Sequence, residues 1–154
     1  MFTLADLTEI TGAKRRSVQL WAEAGALQAA PQTDRAGTGV HRSFDRDEAI
    51  VASILHAFAE QGVPIGKLLG VSKALRHSLK TEQHRFYEWA IKGEGRNILF
   101  FDQRDLFFWS SADANPKNPK HLEDVIPLLM GAGSFSGVYV NLNACLAGMK
   151  QAAT

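Results

Sequence analysis

The sequence predicts an α+β chain in two parts: a mostly helical N-terminal half with a small β-hairpin, and a smaller α/β module behind it. Three observations lead there. Apolar residues recur at helical spacing in four stretches before residue 77. The segments 97–109 and 138–142 are instead short apolar runs of strand length. Glycine or proline punctuation separates most of these stretches, as turns between elements require.

Taken in order, Thr3 followed by Asp6 has the form of a capping box, opening a helix to about Ile10 with Leu4 and Leu7 on one face. Thr11-Gly12 breaks it. A second helix is expected from about Lys14 to Ala24, with Val18 and Trp21 inward and Gly25 closing it. Two helices joined by so short a glycine turn make a helix-turn-helix candidate. In "PQTDRAGTGVHRSF", residues 31–44, the centre "AGTG" is turn material and Val40 to Phe44 suits a strand, so a small hairpin is expected. Asp45 with Glu48 reads as another capped start, followed by the apolar face Ile50, Val51, Ile54, Leu55 and Phe58. Gly62 ends that helix. Pro64 suits the first turn of the next, which runs to about Arg76.

The second half differs in texture. "TEQHRFYEWAIKG" predicts a helix and "NILFFDQRDLFFW" a β-hairpin turning at "DQRD". Neither run alternates, so both faces of this hairpin should be covered. "SSADANPKNPK" is a loop. "HLEDVIPLLM" is ambiguous, because Pro127 fits either a helix's first turn or a demoted strand. "GAGSFSG" reads as a link, "VYVNL" as a strand and "NACLAGMK" as a short helix. The boundary falls near residue 78, giving domains 1–78 and 79–154.

Bulk composition narrows the function classes. The 154 residues are 45% hydrophobic and 21% charged, an ordinary globular composition. No apolar run is long enough to span a bilayer. "MFTLADLTEI" carries acids where a secretory signal has cations, so a cytoplasmic location is expected. The single cysteine, Cys145, agrees with a reducing compartment and reads as a small core residue. His77, His84 and His121 are scattered and no CxxC or HxxxH spacing exists, so no metal is expected. "GAGSFSG" lacks the Lys-Ser/Thr ending of a phosphate-binding loop. No nucleophile, base and acid group together in sequence, so neither an enzyme nor a cofactor is expected.

Charge carries the functional signal through its placement. Residues 1–80 hold ten Lys/Arg against eight Asp/Glu, and residues 81–154 hold seven against eight, so the overall balance says little. Lys14, Arg15 and Arg16, however, sit at the start of the second predicted helix. Cations there oppose the helix dipole by a few tenths of a kcal/mol each. A polyanion outside the fold would repay that. A helix that enters the major groove leads with its N-terminal side chains, here Lys14, Arg15, Arg16, Ser17 and Gln19. Arginine grips guanine bidentately, glutamine does so with adenine, and lysine neutralises phosphate. The predicted hairpin adds Arg35, His41 and Arg42 near a glycine-rich tip, equipment for a wing lying along the backbone.

In that light residues 2–76 resemble the N-terminal winged helix-turn-helix DNA-binding domain of the MerR family of transcription regulators. The matching pieces are "FTLADLTEITGA", "KRRSVQLWAEAGAL" with its aromatic-acid-glycine-leucine pattern, "HRSFDRDEAI" after the wing, and "AFAEQGVPIGKLL". The resemblance implies that Arg16, Ser17 and Gln19 occupy recognition-helix positions and Arg42 a phosphate-contacting position in the wing. Trp21 falls where the family has an aromatic residue. Gln19 stands where the family usually has arginine, Leu20 where it has tyrosine, and Ala22 where it has glutamate. One fewer cationic contact implies a flatter salt dependence. Past residue 76 no heptad continues, so the family's coiled-coil dimer and its promoter-untwisting activation are not carried over.

The expected function is therefore a sequence-specific double-stranded DNA-binding transcriptional regulator, with repression favoured over activation. Both faces of the 97–109 hairpin are apolar while only about 70 residues are available to cover them. That favours a homodimer on a pseudo-palindromic site, with Phe100, Phe108, Val138 and Val140 at the interface. An effector, if there is one, would bind among the C-terminal aromatics. Two other classes fit the same residues: an architectural or phage-type DNA-packaging or recombination factor, and a protein-interaction adaptor built on a winged-helix scaffold.

Overall fold

The computed structural model describes residues 1–34, 41–131 and 137–152. The architecture is mixed α+β, with two small antiparallel sheets among these residues. The first sheet pairs β1 (Phe2–Thr3) with β2 (Ser43–Phe44), in the register Phe2 to Phe44 and Thr3 to Ser43. Thr3 also caps α1 (Leu4–Thr11). Its Oγ1 accepts from the Asp6 N–H at 3.2 Å, and Asp6 Oδ2 accepts from the Thr3 N–H at 2.7 Å, completing the expected capping box. Gly12 ends α1 at φ +72°, where a side chain would be strained. α2 (Arg15–Glu23) follows at once, with Val18 and Trp21 buried.

Of the expected hairpin in residues 31–44, the turn 36–39 lies outside the described residues, and its described flanks do not pair as strands. Pro31–Asp34 forms a short helix, α3, because proline at a first helical position is pre-set for helical φ and needs no N–H partner. Ser43–Phe44 is a strand, but it pairs with the N-terminus. The segment is still closed at its base, since the Ala30 N–H donates to the Ser43 carbonyl at 2.7 Å and the Ser43 N–H donates to Thr33 Oγ1 at 3.1 Å. Val40 lies outside the described residues.

α4 (Arg46–Glu60) starts where Asp45 Oδ1 accepts from the Glu48 N–H at 2.8 Å, and nine of its residues are buried. It packs along α5 (Ile65–Leu79), which runs a turn beyond Arg76. Then come α6 (His84–Lys92), the hairpin β3 (Asn97–Phe101) and β4 (Leu106–Ser110), α7 (Val125–Gly131), β5 (Val138–Asn141), α8 (Leu142–Cys145) and α9 (Ala147–Ala152). Pro127 lies in the first turn of α7, which resolves the ambiguous segment as helix. The second sheet has the order β4-β3-β5 and is antiparallel throughout.

Strand alternation sorts the apolar residues of this sheet onto two faces. Leu99, Phe101, Leu106, Phe108, Val138 and Val140 face the main core, with Phe108 stacked on Phe86 at 5.2 Å between ring centroids. Ile98, Phe100 and Trp109 face the other way, against Leu122, Val125 and Leu129. Of the four residues expected at a dimer interface, Val140 is buried in this core, and Phe108 and Val138 are half-buried against it. Phe100 is half-buried on the sheet's other face, against the Ile98, Trp109 and Val125 cluster and in ring contact with Tyr139.

That main core crosses residue 78. Leu7, Val18 and Phe44 belong to the same buried cluster as Tyr87, Leu99, Leu142 and Met149. α9 packs on α1, and α4 packs on β5 and α8. The boundary expected at 78/79 thus lies within one shared core.

Candidate nucleic-acid interface

The site is built on α2. Lys14 precedes the helix in extended conformation and supplies no side-chain cap. Arg15 and Arg16 fill the first turn, beside backbone N–H groups that have no intrahelical acceptor at a helix start. All three cations are exposed, and Ser17 and Gln19 are half-buried. Among the described residues the ion pairs use Arg42, Arg46, Arg76 and Arg85; none uses Lys14, Arg15 or Arg16. At 100° per residue, Arg16, Gln19, Leu20 and Glu23 project opposite Val18 and Trp21. The inner face is pinned by packing, with Trp21 in tilted ring contact with His56 of α4 at 6.4 Å.

The second group of expected contacts is only partly in view. Arg35 lies outside the described residues. His41 is exposed. Arg42 Nε stands 3.9 Å from Asp34 Oδ1, at the limit of an ion pair, with 36% of its side chain exposed. Arg42 and Asp34 share a groove of about 820 Å³ with Ala22, Glu23 and Gly25 at the far end of α2. The structure thus joins Arg42 to the C-terminal end of α2, while the cations of its first turn lie outside that groove.

A further feature was not legible from the motifs. Glu48, 5% exposed, accepts from Arg76 through both carboxylate oxygens: Nε donates to Oε1, and Nη2 to Oε2 at 3.0 Å. The Gln28 N–H donates to Glu48 Oε2 at 2.8 Å, and Arg76 Nη2 donates to the Ala26 carbonyl at 2.7 Å. This pair fixes the chain leaving α2 against α4 and α5. In the sequence Glu48 is legible only as a helix-start residue, and no spacing rule links it to a partner 28 positions on.

The described residues contain no group of three or more His, Cys, Asp or Glu side chains placed to hold a metal ion. Burial raises the Cys145 thiol from its ordinary 9 to about 11, so it stays protonated at neutral pH. No protein-family model matches the chain, and no curated protein matches it. The likeness to the MerR DNA-binding domain therefore rests on the motifs themselves. Among the described residues no helix is long and apolar enough to cross a membrane.

Proposed function

We propose that the chain is a cytoplasmic, sequence-specific double-stranded DNA-binding transcriptional regulator. In this reading Leu4–Glu23 is a helix-turn-helix, α2 is its recognition helix, and the loop carrying His41 and Arg42 is the wing. It acts as a homodimer on a pseudo-palindromic site, favouring repression. The observation that carries this is the cation triplet at the exposed start of α2, which takes part in no ion pair among the described residues. A rigid support adds to it. Val18 and Trp21 bury one side of α2 and the Glu48–Arg76 pair holds its exit, as a readout surface needs.

The test is selection from a random duplex pool by the purified chain, with the Arg15→Ala/Arg16→Ala variant run at the same salt. An inverted repeat enriched by the wild type and lost by the variant is the expected result. Retention without enrichment would replace this reading with architectural or packaging binding. No retention near physiological salt would replace it with a protein-interaction role.

A further inference from the structure

The side of α2 that carries Arg16 also carries an apolar side chain. Leu20 lies one helical turn after Arg16 and is followed by Glu23, three residues on, with all three exposed. Leu20 is 39% exposed, while its neighbour Trp21, about 100° further round the helix, is 5% exposed. A single exposed leucine is ordinary on a protein surface. Its position is what matters: it stands inside the strip of side chains that faces outward from α2, between a residue that donates hydrogen bonds and one that accepts them. A leucine can do neither. Pressed against the hydrogen-bonding edge of guanine, cytosine or adenine, it would leave those base groups unpaired. The one apolar group that the base pairs present in the major groove is the thymine 5-methyl.

We propose that Leu20 is a specificity-determining residue that contacts the 5-methyl group of one thymine in each half-site. The inference rests on the reading of α2 as a recognition helix. Four residues advance a helix by about 6 Å, and base pairs are spaced by about 3.4 Å. The thymine therefore falls within about two base pairs of the base that Arg16 contacts. This also gives a physical reason for leucine at a position where the resembling family usually has tyrosine.

The experiment starts from the duplex enriched by the wild-type chain and replaces each thymine singly by deoxyuridine, which removes the 5-methyl and nothing else. At one position per half-site the wild type should lose about four-fold in affinity, the equivalent of one buried methyl. Leu20→Ala should bind the thymine and deoxyuridine duplexes equally at that position. Its melting temperature should fall by at most a few degrees, because the residue is only partly covered. In a repeat selection, Leu20→Gln should move the preference at that position away from thymine. Indifference of the wild type to every replacement would overturn the proposal, as would Leu20→Ala keeping the wild-type discrimination. Both results leave the DNA-binding reading standing. If the wild type enriches no sequence at all, the recognition-helix reading falls, and Leu20 falls with it.

Discussion

Arg15 and Arg16 on α2, and Arg76 on α5, are the same side chain in opposite circumstances. Arg76 has a carboxylate, a carbonyl and a hydroxyl within hydrogen-bond reach, and its side chain is 13% exposed. Arg15 and Arg16 are exposed at a helix end whose dipole opposes them, with no ion-pair partner among the described residues. Among the described residues, the fold pairs the first charge and leaves the other two without an ion pair. Charges that the fold does not use are the ones open to a partner, which is why the functional reading rests on α2 and not on the more elaborate network nearby.

The comparison breaks most sharply at the buried pair. Arg76→Ala leaves Glu48 an uncompensated buried carboxylate, and removing one partner of such a pair costs about 3–5 kcal/mol. Urea denaturation should show a loss of that order. Replacing both residues, Glu48→Leu with Arg76→Met, should recover most of it, because an apolar pair of similar volume is often nearly neutral. Loss of the same size in the double variant would mean that the hydrogen bonds to Ala26 and Gln28 carry the stability, and not the ion pair.

A second break lies where the C-terminal part meets the first helix. A Cβ on Gly148 would lie 2.1 Å from the Ile10 carbonyl oxygen, so α9 and α1 can touch as they do only with glycine there. Gly148→Ala should therefore destabilise the whole chain by about 1–3 kcal/mol, the usual range for forced overpacking. A single cooperative transition, shifted as a unit, is expected on thermal melting because one core spans both halves. Two separate transitions would show that the halves fold independently.

These two contacts also mark the limit of what the sequence makes legible. Local chemistry reads well: the Thr3–Asp6 capping box, the glycine after α1 and the 97–109 hairpin all depend on neighbours in sequence. The short helix Pro31–Asp34 is not legible in advance, because its contacts with Ala30 and Ser43 come from outside the helix. The Glu48–Arg76 pair and the Gly148 contact join residues 28 and 138 positions apart, and the shared core joins Leu7 with Met149. Periodicity cannot reveal such pairings, so a two-module expectation follows naturally from the change of texture near residue 78. Within α2, by contrast, most of the candidate site is readable in advance, because a helix orders its side chains by spacing alone.

Burial of Cys145 supplies a smaller effect with a defined sign. The folded state holds the thiol proton up to about pH 11 against an ordinary 9. The folded protein therefore binds the proton more tightly than the unfolded chain. The associated stability is intact below pH 9 and fades as pH rises through 11. The stability difference between wild type and Cys145→Ala, followed by denaturation from pH 8 to 11, should shift in the variant's favour across that window. A constant difference would mean that the thiol is as solvated in the folded chain as in the unfolded one.

The smallest expected change is also the most direct test of the contrast between the arginines. Arg15→Ala/Arg16→Ala removes two cations from the positive end of a helix and replaces them with the best helix former, which should raise stability by a few tenths of a kcal/mol. The sign is opposite to that of Arg76→Ala. Under the proposed function, the same variant should lose DNA affinity and flatten the salt dependence, by up to about two counterions if both arginines face phosphate. Gain in one property and loss in the other, from the same two side chains, is the signature of residues kept for a partner. If the variant instead melts well below the wild type, the arginines serve the fold, and the distinction between the two regions disappears.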